Sequence, residues 1–151
     1  MTYDRKDYLQ AAVAGASPVG LVVLLYERLI TDLTRAVAAM EKGDLETGVA
    51  QINHAFLILG QLEGSLDSGQ APEAASTQAL FYSVARAKIL EAHIKASPKM
   101  LEEQIVLFND VRAAWEQVDP ARNPKAPFLP PLPSTASNQD DEELATLDAT
   151  A

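Results

Sequence analysis

The chain has 151 residues, 48% of them apolar and 22% charged, enough for one compact domain whose core needs no staples. With no cysteine it holds no disulfide, thiolate nucleophile or cysteine-based zinc site, and a formal net charge of −9 repels phosphate backbones, which argues against nucleic acid as the main partner. The Met1 end carries Asp4, Arg5, Lys6 and Asp7 and reads as no secretory signal, and the most apolar stretch, Leu21 to Tyr26, is too short to cross a bilayer.

Residues 1–119 read as helical and residues 120–151 as a tail. Ser17-Pro18 is a helix start, with serine at the N-cap and proline in the first helical position. From there Val22, Tyr26, Leu29, Leu33, Val37 and Met40 recur every three or four residues on one helical face. Glu27, Thr31, Asp32 and Arg35 fall on the other faces. Gly43 stops this helix and Asp44 caps the next. The second helix shows a main stripe of Leu45, Val49, Ile52, Phe56, Leu59 and Leu66, with Ala55, Ile58 and Leu62 widening the apolar arc beside it. The stretch Leu66 to Pro72 breaks it. A third helix is expected from about Glu73 to Ala96, and Ser97-Pro98 opens a fourth, which carries Leu101, Phe108, Val111, Trp115 and Val118 and ends at Pro120. Four helices with short connections predict an all-α, antiparallel up-and-down four-helix bundle, preceded by a short N-terminal segment. The tail holds Pro120, Pro124, Pro127, Pro130, Pro131 and Pro133, then the acidic run Asp140-Asp141-Glu142-Glu143. That composition buries too little apolar area to offset chain entropy, so the tail is expected to be extended or disordered, with Phe128, Leu129 and Leu132 able to dock locally.

The third helix is apolar on two sides. Phe81, Tyr82, Ala85, Ile89 and Ala92 make one stripe, and Leu80, Val84, Ala87, Leu90 and Ile94 lie nearly opposite. Such a helix is buried twice, or covers a second copy, or leaves one face for a partner helix.

Catalytic patterns are missing. Neither His54 nor His93 has a metal-like neighbour at i+3 or i+4, and Glu91 and Glu63 lack the histidine that a di-iron bundle places three residues on. There is no phosphate loop, nucleophile elbow or dinucleotide turn. The expectation is a protein that is not an enzyme and has no catalytic, metal-binding or cofactor-binding residue. Two alternatives stay open from the residues alone: a histidine phosphotransfer bundle acting through His54, and a homodimeric helical scaffold.

Taken together the motifs resemble one family, the FliS-type flagellar export chaperones. The likeness covers Tyr8 to Trp115. It is carried by Tyr8-Leu9-Gln10 before Ala16-Ser17-Pro18, by Leu24-Leu25-Tyr26, by Gly43-Asp44 at the first turn, and by Leu66-Asp67 after helix two. Glu73, Phe81-Tyr82, Lys88, Leu90 and Ala92 fall on its helix-three pattern, and Trp115 on its last helix. The chain departs from it at Glu27-Arg28, where the family usually has Asp-Gly, at Ala71-Pro72 in place of Gly-Gly, at Val84 and at His93.

The resemblance implies a cytoplasmic export chaperone. It would bind the C-terminal segment of flagellin in apolar grooves, prevent early polymerisation and help delivery to the flagellar export gate. The charge balance argues against nucleic acid and the short apolar runs against membrane insertion, and the expected state is a monomer or weak homodimer. By position Tyr8 would lie over the groove when no client is bound. The client-binding residues expected with it are Ile58 and Leu62 on helix two and Leu80, Val84, Leu90 and Ile94 on helix three, leaving Phe81, Tyr82 and Ile89 to the core.

Overall fold

The computed structural model describes residues 17–65 and 72–119. Tyr8, Leu66, the 66–71 connection and the 120–151 tail lie outside the described residues. Four helices follow one another: α1 (Pro18–Lys42), α2 (Leu45–Ser65), α3 (Pro72–Ile94) and α4 (Pro98–Gln117).

The helix ends are where local chemistry puts them. The Ser17 hydroxyl oxygen accepts from the Gly20 N–H at 3.0 Å, and the Ser97 hydroxyl oxygen accepts from Met100 at 3.3 Å, so each serine satisfies a donor that its helix start would leave orphaned. Gly43 ends α1 with φ 72, a left-handed conformation that costs glycine nothing. Asp44 Oδ1 accepts from the Thr47 N–H at 3.2 Å at the start of α2, and hydrogen bonding from the Thr47 hydroxyl first, and from that N–H second, holds its carboxyl below the usual carboxylate range. Helix α3 stops two residues short of the expected Ala96. Ala96 takes φ 47, and the N–H groups of Ala96 and Ser97 donate to His93 and Ala92, closing the last turn so that Ser97 is free to cap α4.

Helix α1 packs closely on α2 and α4, while α3 completes the square against α2 and α4 more thinly. Neighbours run antiparallel. The Ser17 hydroxyl donates to Asp119 Oδ1 at 3.0 Å, which ties the start of α1 to the end of α4. A Cβ at Gly48, early in α2, would lie 3.8 Å from Ala39 Cβ, late in α1. Phenol oxygens of Tyr26 and Tyr82 stand 2.9 Å apart, so the starts of α1 and α3 share one end of the bundle.

The core takes the expected faces of α1, α3 and α4: Tyr26, Leu29 and Leu33 from α1, Tyr82, Ala85, Ile89 and Ala92 from α3, Leu101, Phe108 and Trp115 from α4. Two expectations are corrected. Asp32 is buried at 2% exposure, because α1 is covered by two neighbours and its buried arc is wider than one stripe. Helix α2 is turned: Gly48, Ile52, Ala55, Ile58, Leu59 and Leu62 face inward, whereas Leu45 and Val49 are exposed. The small Gly48 lets α1 approach on that side, and the inward line follows from it.

At the level of Tyr26 the core is aromatic. Phe108 meets Tyr26 and Phe81 at ring-centroid distances of 6.1 Å each, the Phe81 contact being edge-on. Burial pushes the Tyr82 hydroxyl up to about 12, partly offset by its bond to Tyr26, and burial raises the Tyr26 hydroxyl as well. Both groups favour the protonated form when folded. Their stabilising contribution is complete below the unfolded tyrosine value of about 10 and is lost as pH rises through the folded values. Unfolding free energy should therefore fall above about pH 10 with a slope approaching 1.4 kcal/mol per pH unit for each tyrosine. Tyr82→Phe should be less stable by about 1 kcal/mol at pH 7 and decline less steeply in urea titrations between pH 8 and 11. An unchanged slope would show that the pair does not govern alkaline unfolding.

Candidate functional site

Among the described residues no group of histidine, aspartate and glutamate is placed to hold a metal ion. His54 has a different use. Its Nδ1–H donates to Asp32 Oδ2 at 2.5 Å, with the imidazole about one-third exposed and the carboxylate side chain almost wholly covered. A buried carboxylate without a donor is unfavourable by several kcal/mol, so the ring acts as the lid and partner of Asp32. Sequence periodicity missed this pair, since Asp32 and His54 are each one polar residue among several on their helices and nothing local links them.

What the fold leaves uncovered is apolar. Leu80 and Ile94 are 65% and 73% exposed, and Val84 and Leu90 are also on the surface. All four stand where the second stripe of helix α3 placed them, opposite Tyr82, Ala85 and Ile89. On α2, by contrast, Ile58 and Leu62 are 6% and 0% exposed. They were expected in a groove and belong to the core, because the turned α2 presents that side to α1. The surface apolar residues of α2 are Leu45, Val49 and Leu57, with Phe56 half-buried against the core.

These side chains line up along the α2–α3 seam. Arg86 Nε–H donates to Glu63 Oε1 at 2.9 Å, and its guanidinium would lie 3.7 Å from a Cβ at Gly60. The Arg86 side of α3 therefore faces α2. Leu90 and Ile94 follow Arg86 at i+4 and i+8 along that edge, and Phe56, Val49 and Leu45 follow Gly60 back along α2 on one line. Since the helices are antiparallel, the two apolar lines run side by side away from the ion pair. Leu80 and Val84 lie further round, on the outward face of α3. Two helices bordering an open apolar strip offer anchors at helical spacing to a third.

A four-helix bundle with apolar side chains left uncovered along two of its helices presents a surface for a further chain, a client or a second copy. The comparisons with known proteins place it in a family. The family described as flagellar protein FliS matches residues 1–122, and the chain belongs to that family, one of chaperones and not of enzymes. The flagellar secretion chaperone FliS of Salmonella typhimurium is 26% identical over 113 residues, covering 74% of this chain and 84% of that protein. The flagellar secretion chaperone FliS of Vibrio cholerae is 25% identical over 116 residues, covering 77% and 85%. No helix among the described residues is long and apolar enough to cross a membrane.

Proposed function

We propose that this protein is a flagellar secretion chaperone. It holds the C-terminal segment of flagellin in the cytoplasm, keeps it from polymerising early and helps pass it to the export gate. The observation that carries this reading is the uncovered apolar surface of α3, Leu80, Val84, Leu90 and Ile94, on a chain of the FliS family. An extended client end gains helical structure by laying apolar anchors at i, i+3 and i+4 along such a strip, and coupled folding of this kind needs no catalytic residue. Leu45, Val49 and Phe56 supply the α2 border, in place of the buried Ile58 and Leu62. Tyr8 keeps its proposed place over the groove in the client-free protein. Residues 1–119 form the chaperone domain, a monomer or weak homodimer.

Titration calorimetry of the full chain against a peptide covering about the last 40 residues of the same organism's flagellin tests this. Binding should be one to one, with a negative heat-capacity change and a gain in peptide helicity. Leu80→Asp with Val84→Asp should weaken it at least about 30-fold, the size expected for central apolar anchors, with the melting temperature little changed. Binding that ignores both substitutions moves the site off this face of α3. No binding, with a mass that rises with concentration, would replace the chaperone by a homodimeric scaffold whose second copy covers the same strip.

A further inference from the structure

The chain continues past the last described residue for a distance that matters. The family match covers residues 1–122, so the sequence Pro127-Phe128-Leu129-Pro130-Pro131-Leu132-Pro133 and the acidic run Asp140-Asp141-Glu142-Glu143 lie beyond the matched residues. We infer that the 127–133 segment docks on the outward apolar face of α3, at Leu80 and Val84, of the same molecule.

Three observations carry it. The first is where the tail begins. Asp119 is fixed by the Ser17 hydroxyl at the end of the bundle where α1 starts, and the Tyr26–Tyr82 contact puts the start of α3 at that same end. Leu80 stands about 13 Å up the bundle from that end and one interhelical spacing of about 10 Å across from α4. Nine residues from Pro120 to Phe128, at about 3.1 Å each in an extended proline-rich conformation, span about 28 Å. The reach suffices with slack.

The second is chemical fit. A proline-framed strand has no internal backbone hydrogen bonds to lose and little conformational freedom left to give up, so it can lie on a shallow apolar strip that offers no backbone partners. Phe128, Leu129 and Leu132 are the only large apolar residues between Val118 and Leu144, and Leu80 and Val84 are among the exposed large apolar side chains of the bundle.

The third is charge. Lys88 follows Leu80 and Val84 on the i, i+4, i+8 line, and Lys95 and Lys99 stand near the far end of α3. A tail running up α3 brings its four consecutive carboxylates to those lysines, of which Lys95 pairs with Glu91 at 2.7 Å and Lys88 also lies within electrostatic reach of Glu91. In a chain of net charge −9, a lysine-bearing helix end is where an acidic run is least repelled.

The docking does not depend on the client reading, and its failure leaves that reading intact. Because the chain has no cysteine, Ser134→Cys in the full-length protein accepts a single nitroxide. The methyl resonances of Leu80 and Val84 should then broaden several-fold relative to the reduced label, while those of Leu33, on α1 in the core, stay sharp. Substituting Phe128→Ser, Leu129→Ser and Leu132→Ser together should restore the sharp lines without changing the circular dichroism of the bundle. Lines that never broaden, or that broaden equally in the triple variant, overturn the proposal. Broadening that also appears when labelled chains are mixed with isotope-enriched unlabelled chains assigns the face to the tail of a second copy and overturns it as well.

Discussion

Leu62→Asp should leave the chain unfolded or nearly so at room temperature, while Val84→Asp folds and melts like the parent. Leu62 is 0% exposed and Val84 45%, and the difference decides the outcome. A carboxylate at position 62 has two options. It ionises in an apolar interior with no cation built to meet it, or it takes up a proton and remains a polar group without a partner. Either route removes at least about 4 kcal/mol, including the lost leucine packing, from a total of about 5–15 kcal/mol typical of natural domains. At position 84 the new carboxylate stays in water and the change should be within about 0.5 kcal/mol. Thermal melts followed by circular dichroism check both. A Leu62→Asp protein that melts with the parent would mean that α2 presents the opposite face, and Ile58 and Leu62 would return to the groove.

Phe108→Ala should lower unfolding free energy by about 3–5 kcal/mol, the range for deleting a fully buried phenylalanine. Phe108 is 0% exposed and touches rings from two other helices, Tyr26 of α1 and Phe81 of α3. Its loss removes transfer free energy, opens a cavity and cancels two ring contacts together. Phe81 is held against the core by that edge-on contact, so the variant also loosens the thinly packed α3. Phe108→Leu keeps most of the volume and should cost about 1–2 kcal/mol. Urea unfolding with unchanged slope distinguishes the two substitutions. Equal losses would place the strain in ring geometry and not in the cavity.

The bundle's elements were legible because their signals are local. Serine then proline at 17–18 and again at 97–98, and glycine at 43, act within a turn of where they stand. The stripes of α1 and α4 each have one apolar side, so the inward face had no rival. On α3 both faces are apolar. The bulky aromatic stripe Phe81–Tyr82 went inward and Leu80, Val84, Leu90 and Ile94 stayed out, as the sequence reading assigned them. On α2 the choice went the other way for Ile58 and Leu62, and Asp32 was placed on a free face when it lies under His54.

By itself the sequence determined four helices, the caps at Ser17, Gly43 and Ser97, the absence of a catalytic motif and the likeness to the flagellar chaperones, because capping, periodicity and motif spacing are properties of short stretches of chain. Only the tertiary structure decided the rotation of α2, the burial of Asp32 beneath His54, and the line of the α2–α3 seam. Those depend on contacts between residues far apart in sequence: Ala39 against Gly48, Asp32 with His54, and Glu63 with Arg86. A helix with a wide apolar arc has several nearly equal ways to bury it, and the neighbour that approaches most closely selects among them.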